Sequence, residues 1–278
     1  MAKMKIQISK DDFEQSILAA TSSHSEVFES VEKHFEESYL RLSRQILGEV
    51  GEEALETSDE LREAVIKTVC LDAFLSVVRH LDLVLTPTGF GVVANNEVSP
   101  ASSSRVDALI EQCRVALIVA QDRVLSHLTV VSGWGSTLQA QQGIHTVLWS
   151  MEGYCYLTRQ TSMTSKDWMS KLAAIQEADA TLRKLVSDEQ MDDIMCLVRG
   201  VREGNEFEGC VRLMLSRSLI MLANDMLSAY SNERARLLRY FDAHLDNFPI
   251  YADSSAYKAN HFKEFNNEKS KPAFVFNA

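Results

Sequence analysis

The chain has 278 residues, of which 46% are hydrophobic and 24% charged, a composition typical of a globular protein and not of a disordered one. Four prolines and 11 glycines are few, which favours long helices over an all-β fold with many turns. The net charge of −11 argues against a protein that wraps nucleic acid, because such a protein needs Lys and Arg facing the phosphates.

The chain opens with an alternating stretch and continues with helices. Met4, Ile6 and Ile8 alternate with polar residues, which indicates a short edge strand. Apolar residues then recur with helical spacing, and capping boxes at Ser23, Thr57 and Ser187 mark three helix starts. The predicted long helices run over residues 23–48, 57–81, 106–132, 138–156 and 168–186, and residues 206–247 form one or two more. Short helices are predicted over about 9–20 and 187–200. Several are apolar on more than one face, so we expect them to be covered on more than one side by neighbours or partners.

A β-hairpin is predicted at residues 82–93, inserted into this helical pattern. Two short apolar runs flank Pro87 and Gly89, a combination typical of a three- to five-residue hairpin turn. An isolated two-stranded hairpin has marginal stability in water, so this one must pack against another part of the protein or a partner. One reading packs both of its faces inside the subunit. The other makes it a partner-contacting element, through Leu83, Val84, Pro87, Thr88, Gly89, Phe90 and Val92.

The last 30 residues carry no helical period. Pro249 stops the preceding helix, and the chain ends in an apolar patch, Phe274, Val275 and Phe276, that nothing local covers. We predict a helical domain over residues 1–248 and an extended arm over 249–278. Whether the helical domain consists of two halves is left open. The fold class is therefore mainly α, a multi-helix bundle with one hairpin insertion and extended termini. The terminal patch is expected to dock on a neighbouring subunit or ring.

Residue spacing gives no candidate catalytic chemistry. The seven histidines lack metal-ligand spacing, and the Gly-x-Gly pairs lack a third glycine and a phosphate-binding helix start. We therefore expect no enzyme activity, no metal and no cofactor. Four of the five cysteines sit in apolar helical contexts and are interpreted as small hydrophobes in a reducing compartment. We also expect no signal peptide and no membrane span.

Three polar residues interrupt the apolar helix near residue 220. Arg217 and Asp225 are two turns apart in a continuous helix, and Arg212 precedes them. They are interpreted either as a structural ion pair within the subunit or as ion pairs at a subunit interface. The basic run 232–239 is either a solvated face or a surface for an acidic partner.

Six blocks of the sequence resemble an uncharacterised family of tailed-phage and prophage structural proteins from anaerobic gut bacteria. These blocks are SHSEVFESVEKHFEESYLRLSRQILG, LDLVLTPTGFGVV, SPASSSRVDALI, LVSDEQMDDIMCLVRG, VRLMLSRSLIMLANDML and HLDNFPIYADSSAYKANHF. Members look like head–tail connector, or adaptor, proteins.

The resemblance implies a helical virion protein that forms a homo-oligomeric ring, typically twelvefold, beneath the portal. It implies the portal protein and other neck or tail proteins as partners, and DNA that passes without specific binding. The implied location is the virion neck, and the host cytoplasm during assembly. Other readings remain a head-completion or tail-terminator protein, a helical-bundle enzyme with an unrecognised site, and a cytosolic scaffold or regulatory protein.

Overall fold

The computed structural model describes residues 4–17, 25–81, 83–86, 89–92 and 102–262, with the backbone alone for residues 25, 26, 83–86 and 89–92. Helices dominate this part of the chain, which confirms the mainly α class. The first half contains α1 (Lys10–Ser16), α2 (Ser25–Glu32), α3 (Phe35–Leu42), α4 (Gly48–Ala54), α5 (Asp59–Val77), β1 (Leu83–Thr86), β2 (Gly89–Val92) and α6 (Ser103–Leu128). The second half contains α7 (Leu138–Gly143), α8 (Met151–Thr158), α9 (Ser165–Val186), α10 (Asp188–Val198), α11 (Glu206–Ala223), α12 (Leu227–Ala243), α13 (Pro249–Asp253) and α14 (Ser255–Asn260).

Helix α6 is the central element of the bundle. Helix α5 packs along it from the N-terminal half, and α8 and α9 contact it from the C-terminal half. The buried apolar side chains form one continuous core across both halves. Trp134 adds a specific link, because its indole Nε1–H donates to the carbonyls of Ile46, at 3.0 Å, and Leu47, at 3.1 Å. A buried indole with a satisfied N–H is a stable anchor between segments far apart in sequence.

Side-chain caps explain where several helices begin. Ser58, rather than the predicted Thr57, caps α5 by accepting from the Leu61 N–H at 3.2 Å. The hydroxyl of Thr57 instead donates to the Ala54 carbonyl. Ser187 caps α10 as predicted, by accepting from the Gln190 N–H at 3.2 Å.

The two expected extended termini differ from the prediction where they are described. Residues 4–9 form no strand, and Ile6 is buried against the helical core. Residues 249–260 are not an extended arm but the two short helices α13 and α14. Pro249 stands in the first turn of α13, where its missing N–H costs nothing. Burial of the Tyr251 ring, 4.5 Å from the Phe241 ring centre, holds this segment on the body.

The predicted helix over residues 138–156 is wrong, because α7 ends at Gly143 and α8 begins at Met151. The link between them buries Ile144, Val147 and Leu148. Apolar residues at these positions produced the helical pattern, but they fill the core from an irregular segment. The Thr146 hydroxyl donates to the Leu148 carbonyl at 2.9 Å within this segment.

Strands β1 and β2 pair antiparallel, with Leu83 opposite Val92 and Thr86 opposite Gly89. They lie within the predicted residues 82–93. Helix α6 begins after them, with Ser102 at its N-cap.

Candidate functional site

One face of α6 forms the floor of an open groove of about 640 Å³. Val115, Ala116, Val119 and Ala120 line its floor. Residues at this spacing share one side of a helix, so the apolar strip follows directly from the sequence of α6. Lys67 of α5 and the loop at residues 162–164 form the walls.

Glu111 fixes the wall of the groove at one end. Its carboxylate accepts from the backbone N–H of Ser165 at 2.6 Å and from the Ser165 hydroxyl at 2.9 Å. Ser165 is the first residue of α9, and Thr164 caps the same helix through the Asp167 N–H. A carboxylate at a helix N-terminus is favourable because the free N–H groups there carry partial positive charge. Glu111 therefore holds the start of α9 beside the groove.

Asp122 has the corresponding position on α6 three turns further on. Its buried carboxyl accepts from the Met151 N–H at 2.8 Å, in the first turn of α8. Burial raises the pKa of Asp122 to about 7, and the charge of Glu152 adds to this, while the Met151 N–H acts in the opposite direction. The two carboxyl groups of α6 thus hold the starts of α9 and α8 against it, one toward each end of the apolar groove floor.

The middle of α6 is incompletely covered. Every residue from Val115 to Val119 is apolar and only partly buried. A helix that is apolar all round is normally buried all round. This stretch is therefore an apolar surface that the chain leaves partly open.

A second surface, here called the Tyr156 surface, is formed by Tyr156 and Arg159 around the end of α8 and by Arg212, Leu213 and Arg217 of α11. Tyr156 is 84% exposed and Leu213 is 40% exposed. Both line a recess of about 390 Å³, and Tyr156 with Arg159 and Arg217 lines an adjoining recess of about 550 Å³. Within the described residues, none of the three arginines is paired with a carboxylate.

The structure brings Arg212 and Arg217 to one surface but separates them from Asp225. Helix α11 ends at Ala223, and Asp225 has φ 55°, so the expected two-turn spacing along one helix is wrong. Asn224 ends the helix, with its amide donating to the Ile220 carbonyl at 2.7 Å. The interface role of these residues stays a prediction.

For the other predicted contact residues, the structure describes either the backbone alone or nothing. For Leu83, Val84, Gly89, Phe90 and Val92 the backbone alone is described. Pro87, Thr88, Phe274, Val275 and Phe276 lie outside the described residues. Contact by the hairpin or by the terminal patch therefore remains a prediction.

Residues 32–141 match the family of unknown function DUF6712. The match covers 110 of the 278 residues, from the end of α2 to α7, and includes the groove floor on α6. Neither a curated protein nor a solved structure matches the chain.

Sequence reasoning missed Glu111, Asp122 and the groove. The signal was present as two carboxylates 11 residues apart on one stripe of an apolar helix, with Val115 and Val119 between them. The groove itself depends on the loop before α9, which is far away in sequence.

The described residues contain no cluster of three or more His, Cys, Asp or Glu side chains that could hold a metal ion. Burial raises the pKa of the Cys70 thiol to about 12, so this cysteine has little thiolate character at neutral pH. None of the described helices is long and apolar enough to cross a membrane.

Proposed function

We propose that the protein is a virion structural protein, a head–tail connector that forms a homo-oligomeric ring beneath the portal of a tailed phage. The sequence blocks that resemble such proteins support the proposal, and a mainly helical body is compatible with it. A twelvefold ring, the portal protein and other neck or tail proteins are the implied neighbours.

The observation that carries the proposal is the apolar stretch Val115–Val119 on α6, which is only partly buried and lies beside the groove of about 640 Å³. Large exposed apolar surfaces commonly mark interaction sites. Ring subunits meet through head-to-tail contacts between two different surfaces, and the contacts close by rotation. A neighbouring subunit seated on α6 would cover the open floor of the groove.

The charge of the chain suits a channel protein through which DNA moves. With a net charge of −11, the surface repels phosphate and does not retain the duplex. We therefore infer that DNA passes without specific binding. The corresponding locations are the virion neck and, during assembly, the host cytoplasm.

Electron microscopy of the purified protein tests the proposal, alone and after mixing with the portal protein of the same phage. We expect closed rings of one size that stack on the portal. Val119→Lys places a charge on the groove floor and should abolish the rings. Val130→Lys is the matched control, because Val130 lies just beyond the end of α6, is 85% exposed and does not line the groove.

Circular dichroism separates loss of assembly from loss of folding in these variants. A wild-type protein that stays a monomer at micromolar concentration and does not bind the portal would contradict the proposed function. If Val119→Lys forms rings as abundantly as wild type, the groove is not part of the interface.

A further inference from the structure

The charge of the chain is concentrated in one part of it. Residues 25–63 contain twelve Asp and Glu but four Lys and Arg, a net charge of −8 out of −11 for the whole chain. This segment includes α2, α3, α4 and the start of α5. The acidic character therefore belongs to the N-terminal helices.

The corner between α4 and α5 carries exposed carboxylates that have no basic partner among the described residues. Glu53, Glu56 and Glu63 are exposed and take part in none of the ion pairs of that part of the chain. We call these three residues the acidic corner. Arg62, the nearest basic side chain in sequence, is occupied by Asp59 at 2.8 Å and by the Leu55 carbonyl.

The Tyr156 surface has the opposite character. It combines an exposed tyrosine with three arginines, Arg159, Arg212 and Arg217, that no described carboxylate neutralises. Tyr and Arg are enriched among the residues that dominate binding energy at protein interfaces. The guanidinium group also matches the geometry of a carboxylate with two parallel hydrogen bonds.

Arg159 is held in an uncommon conformation at this surface. Its φ of 57° ends α8 in the left-handed region, where a residue other than Gly is strained. Its N–H donates to the Tyr156 carbonyl at 3.4 Å and so closes the helix end. The arrangement sets Arg159 beside the recess that Arg217 also lines.

We propose that the Tyr156 surface binds the acidic corner of a second copy of this chain. The inference rests on the proposed ring and assigns its charged contact. The two surfaces belong to different elements, so each subunit can bind one neighbour through its arginines and another through its carboxylates. Such an interface is head-to-tail, as a closed ring requires. Opposite charges on the two surfaces also favour the correct register over other pairings.

Charge reversal in pairs tests this inference, with the mass of the full-length protein in solution as the readout. The first variant is Arg212→Glu with Arg217→Glu, and the second is Glu53→Lys with Glu56→Lys. Each variant alone should lose assembly at a concentration at which wild type assembles, because like charges then face each other. An equal mixture should assemble again, because each altered surface finds an altered partner and each native surface a native one.

A matched control reverses two arginines elsewhere. Arg234 and Arg239 are exposed on α12 and have no carboxylate partner among the described residues. Arg234→Glu with Arg239→Glu makes the same change of net charge and should assemble like wild type. Circular dichroism of each variant checks that the helices are retained.

The outcomes separate this inference from the proposed function. If wild type assembles and the Arg212 and Arg217 variant assembles equally well, the inference is wrong and the ring remains. If both folded variants fail to assemble and their mixture also fails, the pairing of these two surfaces is wrong. If wild type neither assembles nor binds the portal protein, the proposed function itself fails. Binding of duplex DNA at physiological salt that is lost with Arg212 and Arg217 would instead assign the surface to nucleic acid.

Discussion

At the scale of single residues, the carboxyl of Asp122 links the stability of the fold to pH. Its pKa is raised from 3.8 to about 7, so the folded protein holds a proton that the unfolded chain has released. The stabilisation is complete below about pH 4 and is lost as the pH rises through about 7. The contribution of this residue to the free energy of unfolding should fall by about 4 kcal/mol over that range.

Asp122→Asn isolates this contribution, because an amide oxygen can still accept from the Met151 N–H but does not titrate. Chemical denaturation at several pH values should show wild type losing stability relative to the variant between about pH 4 and pH 7. Parallel pH profiles for the two proteins would show that Asp122 does not titrate in this range.

Gly200 is a residue whose identity the fold requires. It has φ 75°, and a Cβ there would lie 1.7 Å from the Thr129 carbonyl oxygen at the end of α6. Gly200→Ala should lower the free energy of unfolding by about 1–3 kcal/mol through the backbone conformation alone, and the clash should add to this. Thermal or denaturant unfolding measures the change.

Gly209→Ala is the matched control for Gly200. Gly209 lies in α11, where a Cβ meets nothing within 4 Å, so the substitution should stabilise the helix by up to about 1 kcal/mol. Equal effects of the two substitutions would contradict the described packing of Gly200 against Thr129.

At the scale of elements, α13 belongs to the folded body. Tyr251 is fully buried, and its backbone N–H donates to the Gln190 side chain on α10 at 3.0 Å. Tyr251→Ala should lower the free energy of unfolding by about 3–5 kcal/mol, the usual cost of emptying a large aromatic site. Ile250→Ala, at a residue that is 39% exposed, should cost much less.

Truncation gives an independent check of the same element. Deleting residues 249–278 should lower the melting temperature of the body, since it exposes the Phe241 and Phe248 rings that pack around Tyr251. A truncated protein that melts like the full chain would show that α13 contributes nothing to the fold.

The sequence predicted most long helices because their apolar stripes repeat every 3.6 residues. The sequence-based prediction failed where apolar residues are present for a reason other than helix formation, or where a helix is too short to show a pattern. Ile144, Val147 and Leu148 are apolar because an irregular link fills the core, and α13 is too short to show a period. The cap moved from Thr57 to Ser58 because adjacent hydroxyl residues offer two candidates and sequence spacing alone does not choose.

The candidate site was harder to predict than the helices. Its floor could be read from α6, but its walls come from Lys67 and the loop at residues 162–164, which packing alone brings together. The predicted pairing of Arg217 with Asp225 on one helix face was wrong for a related reason. Asn224 caps the C-terminus of α11, so Asp225 lies beyond the helix that carries Arg217. Side-chain capping at a helix C-terminus leaves only a weak trace in composition.

At the scale of the whole molecule, one central helix organises both the core and the proposed assembly. Helix α6 carries Glu111 and Asp122, which fix α9 and α8, and between them it leaves an apolar floor open. Acidic N-terminal helices and an arginine-bearing surface on α8 and α11 give the subunit two chemically different faces. A molecule with two such faces is suited to repeat itself around an axis.

The mass of the full-length protein in solution tests the proposed ring most directly. Light scattering after size-exclusion chromatography, over a range of micromolar concentrations, should give one species whose mass is a fixed integral multiple of the 31.2 kDa subunit. A closed ring does not grow further, so the multiple should not change with concentration. A mass of 31.2 kDa throughout, or a mass that rises continuously with concentration, would contradict a closed ring.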